Sequence, residues 1–183
     1  MTTKKKIWYP GAIYHVIARG NRKDVIFIDK EDFNAYLNIL EDTLIYYSHL
    51  NYEIIAYCLM NNHFHLIIKT NEEPLKNFMS RINSIYARYF NKKYDYVGHL
   101  FEKSYFSSII QTDTQLLETS KYIHLNPVRA KIVELPEQYR WSSYGVFIGE
   151  RECDIINPNY IWNYFDLKRK TEGYRKFVEL VEC

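Results

Sequence analysis

Between residues 12 and 19 the chain alternates, with Ile13, His15 and Ile17 on one side and Tyr14, Val16 and Ala18 on the other. A period of two marks a strand, and the polar Arg19-Gly20-Asn21-Arg22 stretch closes it as a turn. From 31 to 49 the period changes, and Phe33, Tyr36, Leu37, Leu40, Leu44 and Tyr47 recur at helical spacing. Residues 52–60 are rich in β-formers, Asn61-Asn62 is a two-residue turn, and 63–70 is the partner strand of a hairpin. Pro74 stands in a first helical turn, where proline is tolerated. The helix it opens has an apolar stripe of Leu75, Phe78, Ile82, Ile85 and Tyr89, and a polar face that includes Ser80, Arg81, Ser84 and Arg88. A fourth strand is expected over 103–110. Thr112-x-x-Gln115 is a capping-box pattern that starts a third helix. That helix is expected to end near Asn126, because Pro127 disfavours helical geometry in the residue before it.

The order β-α-β-β-α-β-α predicts an α+β fold, with its first six elements in the split βαβ, ferredoxin-like arrangement. The first two helices cover one sheet face, so the third is placed on the open face. With 183 residues the chain fits one domain, expected over 1–150, followed by a C-terminal extension over 151–183.

Composition narrows the setting. Cys58, Cys153 and Cys183 are odd in number and show no Cys-x-x-Cys spacing, against a disulfide framework or a thiolate zinc site. The basic N-terminus lacks a following apolar region, so it is not a signal peptide, and no apolar run approaches the ~18 residues of a membrane span. A cytoplasmic protein without membrane contact is expected. The net charge of +2 is uninformative by itself, because a basic face can hide in a balanced total. The 18 tyrosines, 10 phenylalanines and 3 tryptophans are more telling, since exposed rings can stack on unpaired bases. A Tyr-rich core and surface is the plainer explanation of the same count.

His63-Phe64-His65 lies in a strand, so both imidazoles share one face and Phe64, Leu66 and Ile68 take the other. If Phe64 faces the helix-covered core, both histidines face the open side, where they can hold a divalent ion. Two neighbouring surface histidines would give the same spacing. In the third helix, Tyr122 and Asn126 are four apart and share a face, with Glu118 one turn earlier. Two imidazoles, an amide oxygen, water and a phosphate oxygen suit Mg2+ or Mn2+. A tyrosine, with a pKa near ~10, is a poor nucleophile alone; a metal that polarises a phosphate makes its attack on phosphorus feasible.

Six blocks then form a pattern in order: Tyr14-His15-Val16-x-x-Arg19-Gly20-Asn21, Met60-Asn61-Asn62-His63-Phe64-His65-Leu66, Tyr86-Ala87-x-Tyr89-Phe90-Asn91, Gly98-His99-Leu100-Phe101, Tyr122-Ile123-His124-Leu125-Asn126-Pro127-Val128-Arg129-Ala130 and Tyr139-Arg140-Trp141-Ser142-Ser143-Tyr144. Over residues 9–148 the chain resembles the REP-associated tyrosine transposases, within the single-tyrosine HUH transposase family. The resemblance implies a metal-dependent enzyme that nicks and rejoins single-stranded DNA carrying hairpins through a 5′-phosphotyrosine, acting as a monomer or homodimer. By resemblance Tyr122 is the nucleophile, His63 and His65 are metal ligands, and Asn126 is the third. The bond energy stays in the intermediate, in keeping with the lack of a phosphate-binding G-x-x-x-x-G-K-[ST] loop.

The chain departs from the family at Asn61, where Pro is frequent, and at His124, where Glu is frequent; both changes are expected to have minor effects. Arg19, Asn21 and Arg22 are candidates to meet a hairpin base or a short guide sequence, and Arg81 and Arg88 to follow phosphates. Each basic residue also reads as a solvated charge, and Asn21 as a turn former. The principal rival is a non-catalytic RNA-binding module, which the same strand order serves through sheet aromatics. That reading gives the His-x-His and Tyr-x-x-x-Asn pairs no purpose. A plasmid-type relaxase shares the metal and tyrosine logic but fits the short length and the Tyr122 block less well.

Overall fold

The computed structural model describes residues 8–180; the basic stretch at 1–7 and Cys183 lie outside them. The elements run β1 (Ile13–Arg19), α1 (Lys30–Tyr46), β2 (Glu53–Met60), β3 (His63–Lys69), α2 (Leu75–Tyr94), β4 (Phe106–Ile110), α3 (Asp113–Arg129), α4 (Tyr144–Phe147), α5 (Asn159–Trp162) and α6 (Lys170–Glu179), with short 3₁₀ turns between some of them. The sheet order is β2-β3-β1-β4 with every pair antiparallel, which is the ferredoxin-like order expected of the first six elements. The β2–β3 hairpin turns at Asn61-Asn62, pairing Met60 with His63.

Period two then decides what each face holds. Tyr14, Val16, Ala18, Phe64, Leu66 and Ile68 are all buried. They meet α1 and α2 through contacts such as the Tyr36 ring, 4.8 Å from that of Phe64. The two helices are tied at one end by Lys93, whose ammonium reaches Asp29, Glu31 and the fully buried Asp32. Asp29 and Asp32 also form the capping box of α1.

The apolar stripe of α2 differs from the sequence expectation. Met79, Tyr86 and Phe90 join Leu75, Phe78 and Ile82 in the core, while Ile85 and Tyr89 are only half-buried. Tyr86 can turn inward because its hydroxyl donates to the Ile26 carbonyl at 2.5 Å, so a polar tip does not keep it at the surface. β4 starts later than expected, at Phe106, because the 102–104 stretch bends and the Ser104 carbonyl accepts from the Asn83 amide of α2.

α3 also departs from its expected limit near Asn126, continuing to Arg129 with Pro127 inside its last turn. Proline removes its own N–H from the ladder and crowds the carbonyl four residues earlier. Pro127 is buried on the same side as Ile123 and His124, and this packing outweighs the local preference. At the start of α3, the Thr112 hydroxyl accepts from the Gln115 N–H, while the Gln115 side chain accepts from the N–H of Gln111.

The segment after α3 covers the β2 edge of the sheet. Leu59 N–H donates to Trp141 O at 2.8 Å, Ser143 N–H to Tyr57 O at 2.9 Å, and Asn157 N–H to Ile54 O at 2.8 Å. Cys58 and Cys153 are free thiols. No described helix is long and apolar enough to cross a membrane.

Candidate active site

The face of β3 opposite Phe64 carries the two histidines of the His-x-His pair. The register sets Arg19 opposite His63 and Ile17 opposite His65, so His15 lies one step further along the same face. The three imidazoles form one group: the His15 and His65 rings stack with centroids 5.2 Å apart, and those of His63 and His65 meet edge to face at 5.0 Å.

Their hydrogen bonds leave particular nitrogens free. His63 Nδ1 lies 2.6 Å from the Asn62 side-chain oxygen. That oxygen can only accept, so Nδ1 carries the proton and Nε2 keeps its lone pair. His65 Nδ1 lies 2.9 Å from His15 Nε2, and His65 Nε2 is buried with no partner. Burial pushes all three basicities down: His15 to about 4; His63 to about 4, helped by the Arg19 charge; and His65 to about 2, with His63, His15 and Arg19 adding to the effect. All three are neutral at pH 7, the form that ligates metals.

The face left open by α1 and α2 is the one on which the third helix was expected, and α3 lies over it, so that His65 is only 2% exposed. The covering helix brings the tyrosine. The Tyr122 ring stands edge-on to His65 at 5.6 Å and to His15 at 6.2 Å, yet remains 40% exposed. Two helical turns further on, the Arg129 guanidinium lies 5.2 Å from the Tyr122 ring centre. The Asn126 amide nitrogen donates to the Tyr122 carbonyl at 3.0 Å, which leaves its side-chain oxygen as the available donor atom. Among the described residues no set of three His, Cys, Asp or Glu side chains is placed to hold an ion.

The chain matches the family model described as Transposase IS200 like over residues 9–126. It belongs to the IS200-like transposases. The match runs from just before β1 to Asn126 and so includes His15, His63, His65 and Tyr122. A Haemophilus influenzae protein provisionally named as a REP-associated tyrosine transposase is 28% identical over 108 residues, covering 52% of this chain and 61% of that protein's length. A solved REP-associated tyrosine transposase bound to a REP hairpin superposes with a TM-score of 0.67 at 13% identity, covering 86% of this chain and 94% of that one. At that identity the likeness is one of fold.

The structure divides the expected DNA-contacting residues of this transposase into two groups. Arg19 is exposed at the end of β1 beside His63, and Asn21 and Arg22 follow it in a 3₁₀ turn where Arg22 has φ +52°. Arg81 and Arg88 lie on α2, across the sheet from α3 and away from the histidines. Arg81 stacks 3.8 Å over the Tyr46 ring, and with Asn77, Ser80, Ser84 and Arg88 it lines a shallow groove of about 320 Å³.

Three residues escaped the sequence reading. His15 had a signal, since it shares the period-two face that the β1–β3 register turns towards His65. Arg129 follows Tyr122 by seven residues, or two helical turns, which places it on the same side. His124, expected to matter little, is fully buried and bonded at both ring nitrogens.

Proposed function

We propose that this transposase cuts and rejoins single-stranded DNA beside a hairpin, with Tyr122 as nucleophile. The observation that carries this reading is the partly exposed Tyr122 ring set edge-on to His65, whose buried Nε2 has no partner. In the reaction the Tyr122 oxygen forms a bond to phosphorus, the bond from phosphorus to the 3′ oxygen breaks, and that oxygen leaves as a 3′-hydroxyl after taking a proton. Attack by a 3′-hydroxyl on the phosphotyrosine reverses these changes, so no nucleotide hydrolysis is required.

His63 and His65, with Asn126 as third ligand, fit a divalent ion: both imidazoles are neutral, and each presents Nε2 with its other nitrogen occupied. Bound there, Mg2+ or Mn2+ would draw charge from a phosphate oxygen. The protein's own groups would do the rest. Arg129, lying over the Tyr122 ring, favours negative charge developing on the phenol. Arg19, Asn21 and Arg22 are set to hold the strand entering beside His63, while Arg81 and Arg88 would meet DNA that wraps onto the other layer. An RNA-binding module of this topology would use an open sheet face, and here α3 occupies that face.

The test is covalent capture of a labelled hairpin oligonucleotide on a denaturing gel, in Mg2+ or Mn2+, with Tyr122→Phe as control. An adduct is expected with the wild-type chain and none with the variant. The same oligonucleotide annealed to its full complement should be cut far more slowly, because a stiff duplex holds the phosphate away from the tyrosine and offers no unstacked bases. An equal adduct in Tyr122→Phe, or equal cutting of the duplex, would overturn the proposal.

A further inference from the structure

The side of α3 that faces away from the histidines is held by a chain of polar side chains outside the nucleophile site. His124 lies two residues from Tyr122, about 200° round the helix axis. Its Nδ1 is 2.6 Å from the Tyr174 hydroxyl of α6, and its Nε2 is 2.8 Å from the Ser143 hydroxyl before α4. Ser143 in turn accepts from the Tyr57 N–H at 2.9 Å, with its hydroxyl 3.1 Å from the Tyr57 carbonyl, which anchors it to β2.

Two proton arrangements satisfy the chain. In one, the Ser143 hydroxyl donates to the Tyr57 carbonyl, His124 Nε2 donates to Ser143 and Nδ1 accepts from Tyr174. In the other, Ser143 donates to Nε2, Nδ1 donates to Tyr174, and the Tyr174 hydroxyl donates to Ser120 at 3.1 Å; in both, His124 is bonded to Ser143 and Tyr174. Ser120 sends its own proton to the Leu117 carbonyl at 2.7 Å, within α3. His124, Tyr174, Ser143 and Ser120 are all fully buried.

We propose that His124 is a positioning residue: bonded to Tyr174 and Ser143, it fixes the rotation of α3 and thereby the approach of Tyr122 to His65. The proposal rests on the reading of Tyr122 as nucleophile. The other buried contacts of α3 on this side, Leu116, Ile123 and Pro127, are apolar and non-directional, so they tolerate small rotations. Hydrogen bonds weaken steeply off their angle and resist the same rotations. With side chains reaching about 5–6 Å from a helix axis, a rotation of roughly 20° sweeps a side-chain tip by about 2 Å. A misplacement of that size is enough to cost a catalytic group about a hundredfold in rate. α6, which belongs to the expected extension, is on this account part of the frame that aims the nucleophile.

The test compares the full chain with Tyr174→Phe, His124→Phe and the double variant. Three quantities are read: hydrogen–deuterium exchange of the α3 amides without DNA, affinity for a hairpin oligonucleotide, and the single-turnover cleavage rate. Tyr174→Phe deletes one oxygen and keeps the ring. It should speed exchange in α3, leave hairpin affinity at the wild-type value and slow cleavage by about tenfold or more. The double variant should be no slower than His124→Phe, because both changes remove one shared bond. Unchanged α3 exchange overturns the proposal, as does a cleavage rate that falls only in proportion to the unfolded fraction seen in a thermal melt. If the wild-type chain forms no adduct, the nucleophile reading fails, and exchange alone decides whether the bonds hold the helix.

Discussion

His15 provides a quantitative test of the site because it touches His65, the proposed ligand, without being proposed as one itself. Its Nε2 lies 2.9 Å from His65 Nδ1, and its ring stacks on that of His65. If His65 Nε2 is to ligate, Nδ1 must carry the proton and give it to His15. In His15→Ala that proton loses its acceptor at a site 2% exposed. An unsatisfied buried donor costs about 1–3 kcal/mol. His65 escapes this cost by shifting its proton to Nε2 or by rotating, and either change withdraws the lone pair from the ion. Loss of a partner behind a ligand lowers metal affinity by about 10–100-fold, equivalent to about 1.4–2.8 kcal/mol, which matches the cost of that one unmade bond. The metal concentration for half-maximal cleavage should therefore rise by that factor in His15→Ala, with most of the rate regained at saturating metal. Calorimetric titration with Mn2+ should give the same shift without DNA. His15→Gln, whose amide oxygen can accept the proton, should recover part of the affinity. A metal dependence in His15→Ala equal to wild type would refute the claim that His15 sets the His65 tautomer.

Other perturbations separate chemistry from folding. Tyr122→Phe should abolish the covalent adduct while its melting temperature and hairpin affinity stay near wild type, since the ring edge against His65 is kept. His63→Ala and His65→Ala should both stop cleavage, but only His65→Ala should also destabilise clearly, by about 1–3 kcal/mol in urea, because only His65 is buried beneath α3. Asp32→Asn should cost about 3–5 kcal/mol by urea denaturation, because a fully buried carboxylate held by Lys93, Tyr89, Tyr94 and the N–H groups of Ile28 and Asp29 loses its charge; a loss under ~1 kcal/mol would show that Lys93 finds other partners. Burial, helped by the Arg151 charge, lowers His124 from 6.5 to about 3, so the unfolded chain binds its proton first. Stability present above pH 6.5 is then lost as pH falls towards 3, at about 1.4 kcal/mol per unit from His124, and urea titrations of His124→Gln should show a slope shallower by that amount.

The sheet was legible because its signals are local. Alternation in 12–19 and 63–70 fixes which side chains share a face, and the Asn61-Asn62 turn fixes the register of the hairpin. From that register alone, His63 and His65 fall together, and the Tyr122–Asn126 spacing follows from helical period. What was not legible depends on packing between elements distant in sequence. The α2 stripe turned towards Tyr86 because a carbonyl sixty residues away accepts its hydroxyl. α3 ran past Asn126 because Pro127 found a buried seat. His15 sits on the correct face in the pattern itself, but a histidine among isoleucines reads as an ordinary strand residue until β1 is known to lie beside β3 rather than β2.

His124 shows why reading residues by their helix face alone misleads for α3. Tyr122, Asn126 and Arg129 form one side of the helix and Ser120, Ile123, His124 and Pro127 another, so distance from the tyrosine's face argued that His124 was peripheral. A helix packed between a sheet face and a further layer has two buried contacts, however, and the second constrains the first through the rigid backbone between them. Burying an imidazole in a network that satisfies both nitrogens is costly unless every partner is in place. Those partners come from Ser143 and Tyr174, in segments distant in sequence from the histidine pair. The geometry at Tyr122 is thus set on both sides of α3, by the His15–His65 stack on one and by the His124 bonds on the other. A substitution on the hidden side should act on the rate of cleavage before it acts on the binding of DNA.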